Sequence, residues 1–103
     1  MTVHNKLVRD KIPAIIAAKG GMATTKVLSD GEYREGLRQK LQEEVNEFLA
    51  DNNIEELADI LEVIHALGRT LEAEPTDLEE LRQQKALQRG SFNDRIFLVE
   101  TDD

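Results

Sequence analysis

Two apolar stripes with helical spacing, separated by a single polar punctuation mark, constrain this chain more than anything else in it. The first runs Tyr33, Leu37, Leu41, Val45 and Phe48, and the second runs Ile54, Leu57, Ala58, Leu61, Ile64, His65 and Gly68. Positions three and four apart share one face of an α-helix, so each stripe predicts an amphipathic helix, over 30–51 and about 54–72. Between them stand Asp51-Asn52-Asn53. So short a break cannot carry the chain back for parallel packing, and it predicts an antiparallel helical hairpin.

The remaining elements follow from local punctuation. Ser29 and Glu32 have capping-box spacing at the start of the first long helix. Asp10 as cap, Pro13 in the first turn and Gly20-Gly21 as stop predict a short helix over 11–19. Pro75 is expected to end the second long helix, and Thr76 with Glu79 repeats the box spacing before a last helix over 77–89 with Gly90 behind it. The β-branched run at 23–28 and the apolar run at 95–100 predict two short strands, which can pair with each other. The expected architecture is all-α: a small helical bundle around the hairpin, with short terminal strands. At 103 residues, with three Phe and one Tyr, one small core is the limit, and a single domain over 1–103 is expected to self-associate to supplement it.

Charge narrows the function. The 21 acids outnumber the 13 bases, giving a formal −8, which excludes broad attraction to duplex nucleic acid or to an anionic membrane surface. There is no cysteine, hence no disulfide or thiolate chemistry. No apolar run approaches the roughly 20 residues of a membrane span, and no signal-peptide block opens the chain, so a cytoplasmic location is expected.

The acids are not evenly spread. Between Lys40 and Arg69 no Lys or Arg occurs, while eight acids do. Glu43, Glu44 and Glu47 occupy one helix at spacings of three and four, and Glu56 and Asp59 answer them on the next. Like charges so placed destabilise a helix by about 0.2–0.5 kcal/mol per pair, so helix stability alone does not select the pattern. A hard divalent cation does, because magnesium takes oxygen ligands and is completed by water and phosphate. Solvated acidic helix faces are the bland alternative, and an acidic helical interaction module without catalysis is the corresponding alternative function. Such a module gains nothing from excluding Lys and Arg between the acids.

The pattern Glu43-Glu44-x-x-Glu47 followed by Glu56-x-x-Asp59 resembles the motif of the all-α nucleoside triphosphate pyrophosphohydrolases, the superfamily of MazG-like enzymes, dimeric dUTPases and phosphoribosyl-ATP pyrophosphohydrolase. The opening Lys6-Leu7-Val8-Arg9-Asp10-Lys11-Ile12-Pro13 and the closing Arg89-Gly90-Ser91-Phe92-Asn93-Asp94-Arg95-Ile96 resemble the ends of a phosphoribosyl-ATP-pyrophosphohydrolase-like branch. The resemblance implies Glu44, Glu47, Glu56 and Asp59 as ligands of Mg2+, with Mn2+ as a substitute, and leaves Glu43 for positioning the attacking water or for the outer shell. It implies a nucleotide substrate cleaved to monophosphate and pyrophosphate, and a dimer or tetramer. Only eight residues separate Glu47 from Glu56, which leaves little room for a base-recognition loop.

Lys6, Arg9 and Lys11 form a basic cluster with two open readings, contact with substrate phosphates or ion pairing with the acidic helices. Lys85 and Arg95 are further phosphate candidates, although the helix dipole alone accounts for a lysine near a helix C-terminus. Phe92 is a candidate base-stacking residue, with anchoring of the last loop in the core the stronger expectation. His65, on an apolar face, reads as a packed residue, and Ser29 and Thr76 read as helix caps.

Overall fold

The computed structural model describes residues 2–102 and folds them into a small all-helical bundle: α1 Ile12–Ala18, α2 Asp30–Asp51, α3 Ile54–Thr70 and α4 Pro75–Arg89. The bounds of α2 are those expected, and the reasons are local. Glu32 N–H donates to Ser29 Oγ (3.4 Å), and Ser29 N–H donates to Glu32 Oε1 (3.1 Å), closing the capping box. At the other end Asn52 takes the left-handed conformation (φ 53°), and its N–H donates to Phe48 O at 2.7 Å. Asn53 then caps α3 by accepting from Glu55 N–H at 2.9 Å.

Three helix ends differ from expectation. Lys11, not Asp10, occupies the N-cap of α1, with no side-chain hydrogen bond, because a turn closed by Ile12 N–H to Arg9 O (3.1 Å) delivers Pro13 into the first helical turn. The helix α3 stops at Thr70 rather than 72. Leu71 and Ala73 N–H both turn back to Gly68 O (2.9 Å each), and Ala73 O lies 3.2 Å from where a Cβ on Gly68 would stand. Glycine there admits the turn. Pro75 begins α4 instead of ending α3, since a proline's fixed φ and missing N–H cost nothing at the first helical position. The cap is therefore Glu74, whose N–H donates to Asp77 Oδ2 at 2.9 Å, and Thr76 is inside the helix. Glu79 is drawn off by Arg82 Nε at 2.8 Å.

Neither expected strand forms, and no strand occurs among the described residues. The segments 23–28 and 95–100 do not pair, and a β-branched or apolar run without a partner has nothing to stabilise a ladder.

The principal packing is α2 on α3, with α4 against α3, and α1 packs on no helix among the described residues. Leu37 (3% exposed) and Val63 (8%) are the buried apolar pair, flanked by half-buried Leu41, Val45, Phe48, Ile60 and Ile64. His65 is half-buried, as its place on the stripe suggests. The outer face of α3, Ile54, Leu57 and Leu61, meets solvent. A compact monomer of 11.6 kDa exposes about 5,800 Å², whereas this chain exposes 9448 Å² and has a radius of gyration of 18.1 Å.

Because Leu37 is the most deeply buried apolar side chain described, Leu37→Ala should cost about 2–5 kcal/mol in urea unfolding. Leu87→Ala, at a position 89% exposed, should stay within about 0.5 kcal/mol. Equal losses at the two positions would show that the α2–α3 seam is not the core.

Candidate metal centre

Packing α2 on α3 brings Glu44 of the first helix against Glu56 and Asp59 of the second. One carboxylate oxygen from each lies within 4.8 Å of the other two. Glu56 and Asp59 share a face because they are three apart on α3, and Glu44 reaches them from the buried side of α2. Glu44 is 7% exposed, the one buried charged residue described. Its Oε1 accepts an ion pair from Lys40 Nζ at 3.2 Å, while its Oε2 is buried with no hydrogen-bond partner. An unpaired polar atom in that position costs about 1–3 kcal/mol, and more when charged.

Electrostatics register the strain. Burial pushes the Glu44 carboxyl above its ordinary range, against the opposing pull of Lys40, and Glu47 adds to the rise. Glu56 is also raised, by desolvation first, against an opposing interaction with Glu47, and then by Asp51, Asp59 and Glu44. Glu47 is itself exposed and flanks the cluster through Glu44 and Glu56 without belonging to its tightest group. Of the four acids that the resemblance implies as ligands, the structure thus joins Glu44, Glu56 and Asp59 and sets Glu47 beside them.

Glu43 faces another way. It accepts from Lys6 Nζ at 2.9 Å and from Lys40 Nζ at 3.4 Å, and the Lys6 hydrogen bond holds its carboxyl below the ordinary range. Asp59 accepts from Arg9 Nη2 at 2.8 Å. Lys6 and Arg9 therefore take the ion-pairing option that the sequence left open. Lys11, Lys85, Phe92 and Arg95 make no ion pair or side-chain hydrogen bond with the cluster. Phe92 is 97% exposed, which corrects its expected role as a core anchor: past Gly90 (φ 82°) the chain leaves α4 and its described residues are exposed.

Lys40 is the residue that sequence reasoning missed, having served there only to bound the cation-free interval. Its signal was present as the i,i+4 spacing to Glu44 and the i,i+3 spacing to Glu43. Two clefts of the bundle lie elsewhere. One, of about 310 Å³, is lined by Asp30, Tyr33 and Arg34 from the start of α2 and by Ala66, Arg69 and Thr70 from the end of α3.

Comparison with known proteins adds little to this geometry. A stretch of 45 residues, 44% of the chain, is 49% identical to an uncharacterized protein of Mycolicibacterium smegmatis, covering 46% of that protein. The match spans less than half the length of either. No family model matches the chain, and no solved structure matches it.

The raised Glu44 carboxyl gives a pH dependence with a definite sign. The folded protein binds this proton more tightly than the unfolded chain, so the ionised group counts against folding above its folded-state value and ceases to do so once protonated. In chelator, Glu44→Gln should melt higher than the parent near pH 7. That advantage should close as pH falls through and below the ordinary carboxylate range, as followed by thermal melts at fixed ionic strength. A constant advantage, or none, would remove burial of the charge as its cause.

Proposed function

We propose that this chain is a magnesium-dependent nucleotide pyrophosphohydrolase, built on the antiparallel hairpin that its two stripes predict. It would cleave a nucleoside triphosphate, or a phosphoribosyl-ATP-like nucleotide, to monophosphate and pyrophosphate. The observation that carries the reading is Glu44 Oε2: a carboxylate oxygen, buried and unpartnered, on a side chain gathered with Glu56 and Asp59 within 4.8 Å. Lys40 reaches only the other oxygen, Oε1, so Oε2 is left without a partner, and an all-oxygen donor set suits a hard divalent cation. Glu44, Glu56 and Asp59 would hold magnesium, with Glu47 as the adjoining fourth acid, and manganese would substitute. Bound there, the ion supplies charge to the phosphates and lowers the pKa of a water.

The chain's own residues do the rest. Glu43, kept ionised by Lys6 and Lys40 outside the tight group, would take the outer-shell role, orienting water toward the α-phosphorus only by giving up a lysine. As the new phosphorus–oxygen bond forms, the bond from that phosphorus to the bridging oxygen breaks. Pyrophosphate leaves with the electron pair, and the water's proton passes to a carboxylate. Lys6 and Arg9 are the cations nearest this chemistry from the N-terminal segment.

The same pairs favour a second reading, a non-catalytic acidic interaction module, because Lys6, Arg9 and Lys40 already offset Glu43, Asp59 and Glu44. A panel of nucleoside triphosphates and phosphoribosyl-ATP, assayed with magnesium or manganese, separates the two. Monophosphate and pyrophosphate should appear, activity should vanish in excess chelator, and Glu44→Gln should lower turnover by about two orders of magnitude. Orthophosphate as first product, or turnover that survives chelation, would overturn the enzyme reading.

A second copy of the chain is the proposed partner. The area exposed beyond that of a compact monomer is about 3,600 Å², more than the roughly 800 Å² per partner of a standard interface. The outer α3 stripe of Ile54, Leu57 and Leu61 offers an apolar face for it. Sedimentation should give a mass that is a multiple of 11.6 kDa, and Leu57→Glu with Leu61→Glu should lower it. A concentration-independent monomer would refute the assembly.

A further inference from the structure

The described residues before α1 form no helix or strand, yet residues 6–9 are tied to both long helices. Leu7 is half-buried and packs with Leu28 over Gly36 of α2. On one side of it Lys6 Nζ donates to Glu43 of α2, and on the other Arg9 Nη2 donates to Asp59 of α3. Residues 6–9 therefore strap the α2–α3 pair at the level of the acidic cluster, with an apolar anchor in the middle and a cation at each end.

The two ends differ. Lys6 holds Glu43, which lies outside the tight carboxylate group, whereas Arg9 holds Asp59, one of the three acids that compose it. Asp59 can serve Arg9 or a divalent cation more readily than both, because each satisfies the same carboxylate and the two cations repel. The contact is also easily given up. The Arg9 and Asp59 side chains are 55% and 41% exposed, and exposed ion pairs are weak. Glu44 Oε2, buried and unpartnered within the same group, is a demand that Arg9 leaves unmet and that a cation would meet.

We propose that Arg9 is an exchanging counter-ion: it occupies Asp59 in the cation-free protein, yields that carboxylate when a divalent cation binds with Glu44, Glu56 and Asp59, and turns its guanidinium to the phosphate oxygens of the ligand. Leu7 and Lys6 keep the segment in place during the exchange, so the freed group stays beside the site. A guanidinium suits the second role because its planar fork donates two parallel hydrogen bonds to phosphate. The inference rests on the metal-centre reading, and the experiment separates the failure of one from the failure of the other.

Binding of Mn2+ to the full chain is titrated by calorimetry at fixed ionic strength, in the parent, Arg9→Met, Arg9→Lys and Lys11→Met. Lys11→Met removes the same charge from a neighbouring position that makes no ion pair among the described residues, and so reports general electrostatics. Arg9→Met should bind Mn2+ about two- to fivefold more tightly than the parent, the factor contributed by an exposed ion pair, and Lys11→Met should shift it much less. Inorganic pyrophosphate, titrated into the Mn2+-loaded proteins, should bind about tenfold more weakly to Arg9→Met, in keeping with a lost charge-assisted hydrogen bond, and Arg9→Lys should fall between. Equal Mn2+ affinity in parent and Arg9→Met, equal shifts in Arg9→Met and Lys11→Met, or unchanged pyrophosphate binding in Arg9→Met would each overturn the exchange while leaving the metal centre standing. Absence of Mn2+ binding in the parent and in every variant would overturn both.

Discussion

The contact on which the rest depends is the seam between α2 and α3. Leu37 and Val63 are its buried apolar residues, and the same seam carries Glu44 inward to Glu56 and Asp59. Apolar burial thus does two things at once. It supplies the favourable term for folding, at about 25 cal/mol per Å² removed from water, and it forces a carboxylate into a place where water no longer satisfies it. Lys40, one turn before Glu44 on the same helix, offsets part of that cost, and the unpartnered Oε2 is what remains.

Charge within the cluster is arranged in tiers. Glu43 is drawn to Lys6 and Lys40 and held ionised, Asp59 is answered by Arg9, and Glu44 and Glu56 are left with raised affinities for protons. Four acids that look equivalent along the chain therefore have different chemistry, set by burial and by which cation reaches each. A group that holds a proton too readily is one that an additional positive charge would relieve.

Most of the helical layout was legible because its signals are local. Ser29 with Glu32, and Asn52 with Asn53, decide the ends of α2 and the start of α3 within a few residues, whatever the rest of the chain does. The failures share a cause: they needed something distant or a competitor. The runs at 23–28 and 95–100 have strand-forming residues but no strand to pair with. Thr76 lost the cap of α4 because Pro75 fits the first helical position better, and Phe92 lies on a segment past α4 whose described residues are exposed. In the cluster, helical spacing placed Glu56 and Asp59 on one face and opposite Glu44. It did not separate Glu43, turned toward Lys6, from Glu44, turned inward, since that difference depends on a segment 37 residues away.

The two-residue link at Asn52 and Asn53 also bears on how the chain reaches this state. Helices joined so tightly meet through contacts close in sequence, and topologies of that kind collapse on microsecond-to-millisecond timescales because little loop entropy opposes their closure. The strap is the opposite case: Arg9 must find Asp59 across 50 residues, so it docks on a surface that the helices have already made. The acids consequently come together before Lys6 and Arg9 arrive, and for that interval Lys40 alone of the three cations offsets the repulsion across the nascent seam. Ionic strength and divalent ions then act on the order of assembly as well as on its end point.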